Sequence, residues 1–356
     1  RVWIDSQSEE AILKGVREAK PLSDYDALAA SAYLRAKEDY LMGINFSRLL
    51  TLKYGQSVAD EIKARYSVIS VGRVMTCVLG MVVRREREIS AFVNTPFYRV
   101  IAALDVNGMP VEAEWKAVEG SVAFGKPVLY KDNGFKKRED AQKLIDYLNK
   151  EQPLSAQVLS CEKKNEKKNP PLLYNLAELQ NDCSRIFKIS PDETLKVVQE
   201  LYEKKMVTYP RTDARVLSSA VAKEIGKNIA GLTKVPGYEA VAQEVLDMGS
   251  YKKIGSTKYT DDKQITDHYA IIPTGQGLGA LNGLSYRSLS IYQLIIRRFL
   301  SIFYPPAQYK KITLALKIRT EQFFAGFKVL TDEGYLKVAN MGNRKNLQDE
   351  RNGQSR

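Results

Sequence analysis

Two β-prone stretches lie far apart in this chain, and the residues between them read as helix. Short runs with period-two alternation occupy residues 98–106, 111–115, 128–130 and 157–161, broken by turn signals at Asn107-Gly108 and Asn133-Gly134. The same texture returns over residues 309–338, most clearly in Lys311-Ile312-Thr313-Leu314-Ala315-Leu316-Lys317-Ile318. Strands of one sheet therefore have to be gathered across a long helical interval. A β domain split by a helical insertion is the arrangement this pattern implies.

The remaining segments follow from periodicity. Residues 8–92 are helical in pattern, with apolar positions three or four apart as at Ala27, Ala30, Leu34 and Leu41. One helix is expected over 138–150, between the β runs. Residues 162–171, with Lys163-Lys164-Asn165-Glu166-Lys167-Lys168-Asn169-Pro170-Pro171 at their core, read as a charged, proline-ended linker. Long helical patterns then resume to about residue 298. No internal repeat is visible, and the polar residues at the C-terminal end read as a loose tail.

Composition limits the chemistry. The 356 residues carry 54 Lys and Arg against 42 Asp and Glu, a net charge of +12 that favours a polyanionic partner. A single histidine cannot build a two-His metal site. The three cysteines, Cys77, Cys161 and Cys183, are too far apart for a Cys-x-x-Cys pair, so no metal site is expected and a reducing compartment is. The longest apolar run, 74–83, is about half of what a membrane span needs. The chain starts at Arg1 without an initiator Met or a leader-like segment, and reads as part of a longer protein.

The most distinctive string is Thr208-Tyr209-Pro210-Arg211-Thr212-Asp213. A residue before proline is extended, so Tyr209 and Arg211 tend to one side of the chain. A phenol is a poor nucleophile at neutral pH unless positive charge lies near, and Arg211 supplies a charge that also holds a phosphate oxygen. The alternative is a Tyr packed at a helix-to-loop turn beside a surface Arg. His268, in Asp267-His268-Tyr269-Ala270-Ile271-Ile272-Pro273-Thr274, is either a phosphate donor near Tyr209 or a structural imidazole. Ser70-Val71-Gly72-Arg73-Val74-Met75-Thr76 combines hydroxyls, a glycine and an Arg that suit phosphate, or else marks a helix start with its cap. Two strings are decoys. Gly120-Ser121-Val122-Ala123-Phe124-Gly125-Lys126-Pro127 approaches a phosphate loop, but Pro127 replaces the hydroxyl that would bind Mg²⁺. Asp24-Tyr25-Asp26 reads as a helix cap rather than a metal site.

Together these strings resemble type IA DNA topoisomerases, most nearly those of the bacterial topoisomerase III kind. The likeness runs in order through Leu41-Met42-Gly43-Ile44-Asn45-Phe46-Ser47-Arg48, the string beginning at Ser70, Arg85-Glu86-Arg87-Glu88-Ile89 and Pro170-Pro171-Leu172-Leu173-Tyr174-Asn175-Leu176. It continues through the Tyr209 and His268 strings to Arg297-Arg298-Phe299-Leu300. The resemblance implies a multidomain α+β torus. A helical single-strand-groove domain would span 1–93, a β-rich arch 94–165 and 285–338, a helical gate domain 166–284, and a loose tail 339–356. It assigns Tyr209 as the nucleophile that forms a 5′-phosphotyrosine, Arg211 as the residue that steadies the scissile phosphate, and His268 as a phosphate-positioning group. Arg35 and the string Ser70, Val71, Gly72, Arg73, Val74 and Met75 are the implied contacts to single-stranded DNA.

Three departures stand out. Met75 occupies the place of a family glutamine, and only one histidine is present where topoisomerase III often has two. The Toprim domain whose carboxylates hold Mg²⁺ is expected to lie outside these residues. The resemblance further implies ATP-independent strand passage by a monomer in the cytoplasm, associated with the nucleoid. The chain alone is expected to bind single-stranded DNA but to be catalytically incomplete. A non-catalytic single-strand-binding module on the same scaffold is the alternative. A tyrosine recombinase fits less well, because His268 follows the tyrosine instead of preceding it.

Overall fold

The computed structural model describes residues 1–4, 9–106, 108–150 and 154–341, with the side chains of 9–11 left out. Asn107 of the first turn signal and residues 342–356 of the expected tail lie outside the described residues. The chain divides into two compact units, residues 1–3 with 15–96, and residues 4–14 with the remainder.

The first unit is helical. α1 (Glu9–Arg17) is divided between the two units; in the first, α2 (Asp26–Glu61) runs for 36 residues and is followed by α3 (Arg73–Ser90). What organises this unit is a row of small side chains on α2. Gly43, Ser47, Thr51, Gly55 and Ala59 recur every fourth residue and so lie along one face of the helix. The extended segment before α3 lies against that face. Ile69 N–H donates to Thr51 Oγ1 at 3.0 Å, and Val71 N–H donates to Ser47 Oγ at 2.9 Å. The hydroxyls take the part a neighbouring strand would play, satisfying alternate backbone amides. A β-carbon at Gly55 would sit 2.9 Å from the Ser67 carbonyl oxygen, so the approach requires glycine there. The expected cap at Asp24-Tyr25-Asp26 is not observed. Tyr25 occupies the N-cap of α2 without a side-chain bond, and Asp26 lies in the first turn, where its charge suits the helix dipole.

The second unit joins two cores. Strands β1 (Ile101–Val106), β2 (Met109–Lys116), β3 (Leu129–Lys131) and β4 (Gly134–Phe135) precede α4 (Arg138–Leu148) and β5 (Gln157–Lys168). Five helices follow: α5 (Leu176–Phe187), α6 (Pro191–Glu203), α7 (Ser219–Leu232), α8 (Glu239–Met248) and α9 (Tyr286–Ser301). The chain then returns to the sheet as β6 (Ala307–Ile318) and β7 (Glu321–Asp332), and closes with α10 (Leu336–Ala339). The main sheet is antiparallel in the order β1-β2-β7-β6-β5, so segments on either side of the helical insertion do pair.

At one end of the sheet, Trp115, Phe135, Leu144 and Phe323 form a core under α4. Inside it Glu321 is fully buried, accepting from Trp115 Nε1 at 2.7 Å and from the Val122 amide at 2.8 Å. That amide belongs to the phosphate-loop decoy, which folds as turns tied to this core. The other core is formed by α5–α9, with Leu179, Leu201, Ile225, Ile295 and Phe299 at its centre.

Three segments differ from the sequence reading. Residues 162–168 belong to β5, an edge strand whose every residue is exposed, and not to a linker. Without an apolar alternation the strand is invisible in sequence; backbone pairing to β6 makes it. The helix Tyr286–Ser301, in the stretch assigned to the arch, packs into the helical core. β7 ends at Asp332, and Leu336–Ala339 is a helical turn where alternation suggested strand. The three cysteines are free, and burial pushes the Cys183 thiol up to about 12. Among the described residues no helix is long and apolar enough to cross a membrane.

Candidate functional site

The Tyr209 segment gets its shape from two neighbouring stretches. After α6, Lys205 adopts a left-handed conformation (φ 60°) and turns the chain into residues 206–216. This stretch pairs with 270–274: Thr208 N–H donates to the Ile272 carbonyl at 3.0 Å, and Thr274 N–H to the Met206 carbonyl at 3.0 Å. On its other side Ile271 N–H donates to the Tyr174 carbonyl at 2.8 Å. A short three-stranded patch thus gathers residues distant in sequence.

Two threonines pin the ends of the Tyr209-Pro210-Arg211 loop. Thr208 Oγ1 donates to the Ala270 carbonyl at 2.9 Å and accepts from the Ile272 amide at 2.9 Å. Thr212, which is buried, donates to the His268 carbonyl at 2.7 Å and accepts from the Ala214 amide at 3.1 Å. Both clamps grip the segment that carries His268. The result is a Tyr209 ring with its centre 4.4 Å from that of His268 and 5.4 Å from Tyr202, which meets it edge-on. These rings border an open cavity of about 660 Å³, lined also by Glu203, Lys205, Thr274 and Gln276. The Tyr209 hydroxyl has no hydrogen-bond partner among the described residues, and the half-buried ring leaves it accessible.

Behind the patch, Arg298 of α9 lies over the Tyr174 ring, 4.0 Å from its centre, and donates to Asp182 at 2.9 Å and to the Leu172 carbonyl at 3.0 Å. The Tyr174 hydroxyl donates to the same Asp182 carboxylate at 2.6 Å. Burial alone would raise the Asp182 pKa, but the bonds from Tyr174 and Arg185 and the charge of Arg298 outweigh it and hold the carboxyl below its ordinary value. This network fixes residues 172–176, from which Asn175 Nδ2 donates to the Asp213 carbonyl at 3.1 Å.

In the other unit, α3 begins at Arg73 with Gly72 as an extended N-cap and no side-chain cap. The first intrahelical bond runs from the Thr76 amide to the Gly72 carbonyl, so the amides of Arg73, Val74 and Met75 are the open donors of the helix start. Nothing lies within 4 Å of where a Gly72 β-carbon would be, which leaves the approach to those amides clear. Arg73 grips Asp39 with two bonds, at 2.6 and 3.1 Å, and Arg35 reaches the same carboxylate at 3.9 Å. The Arg73 bond and charge hold the Asp39 carboxyl below its ordinary value.

Residues 23–355 match the model of a family described as DNA topoisomerase. The chain belongs to this family. Among curated relatives, DNA topoisomerase 3 of Bacillus subtilis is 33% identical over 352 residues, which cover 98% of this chain and 44% of that protein. DNA topoisomerase 3 of Bacillus cereus is 33% identical over 341 residues, covering 95% of this chain and 42% of the relative. The chain therefore spans less than half the length of these topoisomerases. The full-length topoisomerase I structure from Thermotoga maritima superposes with a TM-score of 0.60 at 22% identity, over 95% of this chain and 50% of the other. The fold is that of the type IA topoisomerases, mixed α and β with an antiparallel sheet.

Within this topoisomerase chain the structure brings Tyr209 and His268 together. Arg211, in contrast, is exposed and does not line the cavity. Ser70, Val71, Gly72, Arg73, Val74 and Met75 are contiguous along the docked segment and the α3 start, and Arg35 meets Arg73 through Asp39. Sequence reasoning missed Asp39, Thr208, Thr212 and Tyr202. The threonines were legible as flanks of the Tyr209 string; Asp39, four residues after Arg35, was legible as its helical ion-pair partner. Among the described residues no three His, Cys, Asp or Glu side chains converge as metal ligands.

Proposed function

We propose that this chain is the tyrosine-bearing portion of a topoisomerase III-like type IA enzyme, acting on single-stranded DNA. Tyr209 attacks a backbone phosphate, forming a bond from its phenolic oxygen to phosphorus and releasing the 3′ hydroxyl of the neighbouring nucleotide. The 5′-phosphotyrosine conserves the energy of the phosphodiester, so no ATP is needed. After a second strand has passed, the 3′ hydroxyl attacks the phosphorus and expels Tyr209. His268 and Arg211 hold the phosphate oxygens, and the α3 start with Arg73 and Arg35 binds the single strand. Such an isomerase relaxes or decatenates DNA as a nucleoid-associated cytoplasmic monomer. Mg²⁺ would be held by Toprim carboxylates supplied separately, and without them the chain binds DNA but cleaves poorly.

The observation that supports this reading best is the pairing of Tyr209 with His268 at an open cavity, in a loop pinned at both ends. The test is a covalent-adduct assay with an end-labelled single-stranded oligonucleotide, a Toprim domain added in trans and Mg²⁺. A denaturation-resistant adduct is expected, and Tyr209→Phe should abolish it. An adduct that survives in Tyr209→Phe would refute the assignment of the nucleophile. If no adduct forms while the oligonucleotide still binds, the chain is a non-catalytic single-strand-binding module.

A further inference from the structure

The cavity beside Tyr209 is longer than one phosphate requires. Tyr209 and His268 border one end, and Lys205, Thr274 and Gln276 border the other. The ends are joined by the ladder in which Met206, Val207 and Thr208 face Thr274, Pro273 and Ile272. An extended backbone rises about 3.3 Å per residue, so Lys205 and Tyr209, four residues apart on that ladder, leave it about 13 Å from each other. A phosphate attacked by Tyr209 leaves the far end unfilled.

That far end is built around a lysine whose charge is uncommitted. Lys205 N–H donates to the Tyr202 carbonyl at 2.8 Å, and its own carbonyl accepts from Thr274 Oγ1, so its backbone is held on both sides. Glu203 lines the same cavity, yet its carboxylate accepts from Gln199 Nε2 at 3.3 Å instead of meeting Lys205. The neighbouring Lys204 is paired with Glu200, whereas Lys205 Nζ has no hydrogen bond or ion pair among the described residues. Lysines take the same left-handed conformation after α2 and α5, at Lys63 and Lys188, so the backbone turn alone marks nothing. The place in the cavity does.

Gln276 completes this end. It sits between Gly275 and Gly277, at φ +73° and +67°, and a β-carbon at either would collide with backbone, of Asn228 and of Lys204 respectively. The turn is therefore pressed against its neighbours and holds Gln276 at the cavity wall. An ammonium and an amide N–H are both donors to phosphate oxygen. The direction follows from the chemistry proposed above: Tyr209 keeps the 5′-phosphoryl end, so the nucleotides that stay with its helical core lie on the 3′ side of the break. We propose that Lys205 and Gln276 form a downstream subsite, which holds a phosphate within two steps on the 3′ side of the scissile one. This rests on the topoisomerase reading and gives the covalently held end a second grip. With two points fixed, that end stays aligned for the returning 3′ hydroxyl.

The cleavage position on one single-stranded oligonucleotide is first mapped with the wild-type chain, a Toprim domain in trans and Mg²⁺. Neutral methylphosphonates are then placed singly at the first and second phosphates on the 3′ side, and at the matching two on the 5′ side. In K205A the oligonucleotide concentration for half-maximal adduct should rise about tenfold, while the yield at saturation keeps its wild-type value. One of the 3′ methylphosphonates should cost the wild type the same factor and cost K205A nothing more; the 5′ ones should cost both proteins alike. K205R should behave as wild type, and so should K204A. K205G separates charge from backbone: glycine relieves the left-handed turn and should raise the thermal unfolding midpoint, yet it should lose the same factor as K205A. A K205G with wild-type affinity would overturn the subsite, as would losses from K205A and from each 3′ methylphosphonate that simply multiply; in both cases the adduct itself leaves the nucleophile reading standing. If the wild-type chain forms no adduct with the unmodified oligonucleotide, the topoisomerase reading fails and the subsite with it.

Discussion

Gly231→Ala is the substitution on which two physical effects disagree most sharply in sign. Gly231 lies in the last turn of α7, and replacing a helical glycine with alanine ordinarily stabilises by up to about 1 kcal/mol. Here a β-carbon would fall inside the contact distance of the Gly275 carbonyl oxygen and Cα, and 2.7 Å from the Gly275 carbonyl carbon. All three atoms are backbone, so no side chain can rotate aside. Gly275 itself has φ +73°, and a β-carbon on it would lie 2.6 Å from the Asn228 carbonyl oxygen, so the two backbones approach closely from both sides. Overpacking of this kind costs about 3 kcal/mol, so the net effect should be a destabilisation of about 2 kcal/mol. Hydrogen exchange of the α7 amides should then speed up about 30-fold. Because Gly275 follows the segment that pairs with Thr208, the covalent-adduct yield should fall as well. Gly80→Ala is the control: that helical position has nothing within 4 Å of its β-carbon and should gain about 1 kcal/mol. If Gly231→Ala is neutral or stabilising, close backbone packing does not hold the 270–275 segment in place.

Thr212→Val keeps the shape of the side chain but strands the His268 carbonyl and the Ala214 amide; a loss of about 2 kcal/mol is expected in urea unfolding, while Thr212→Ser should recover most of it. Arg73→Ala should weaken single-strand binding and flatten its salt dependence by up to about 0.7 in log-log slope, and an unchanged slope would place the strand elsewhere. Asp182→Asn leaves Arg298, nearly buried, with only the more distant Glu178 carboxylate, at 3.7 Å, as a charge partner and should cost about 2 kcal/mol near neutral pH. Since the folded state depresses the Asp182 pKa, the stabilisation from its ionised form is present above the unfolded value near 4. It is lost as pH falls through the lower folded value, so the gap between wild type and variant should close only in that acid range, as read by denaturation midpoints across pH.

The parts of the fold legible in sequence were those in which burial imposes a period. Leu314, Leu316 and Ile318 alternate because one face of β6 is core, and that alternation revealed the split sheet. β5 gave no such signal, since both of its faces meet solvent and only its backbone is committed. The α2 stripe was present as small residues every fourth position, but smallness does not say what approaches; the docking of residues 67–71 depends on hydroxyls meeting amides 18 to 24 residues away. At the site, Tyr209 stood out through its neighbours, whereas its distance from His268 follows from threonine bonds that close loops of 56 and 62 residues. Around Arg211 the segment is not a straight strand: Thr212 N–H turns back to the Pro210 carbonyl at 3.1 Å, a local bend that the two-residue spacing does not announce.

β5, β6 and β7 make a ribbon with one end in each core of the second unit, Ala307 and Tyr309 in the helical core and Leu316 and Phe323 in the other, and this has a mechanical consequence. Its backbone bonds run crosswise to the strands, from the Gln157–Lys317 pair at one end to the Lys168–Ala307 pair at the other. A pull that separates the cores along the strands would load these bonds together, in shear, and none could fail before its neighbours share the strain. Twisting or flexing the ribbon loads them unevenly, because no side chain of β5 is buried to brace that edge. An element built this way transmits tension faithfully while yielding readily to bending, like a tether cut from stiff tape.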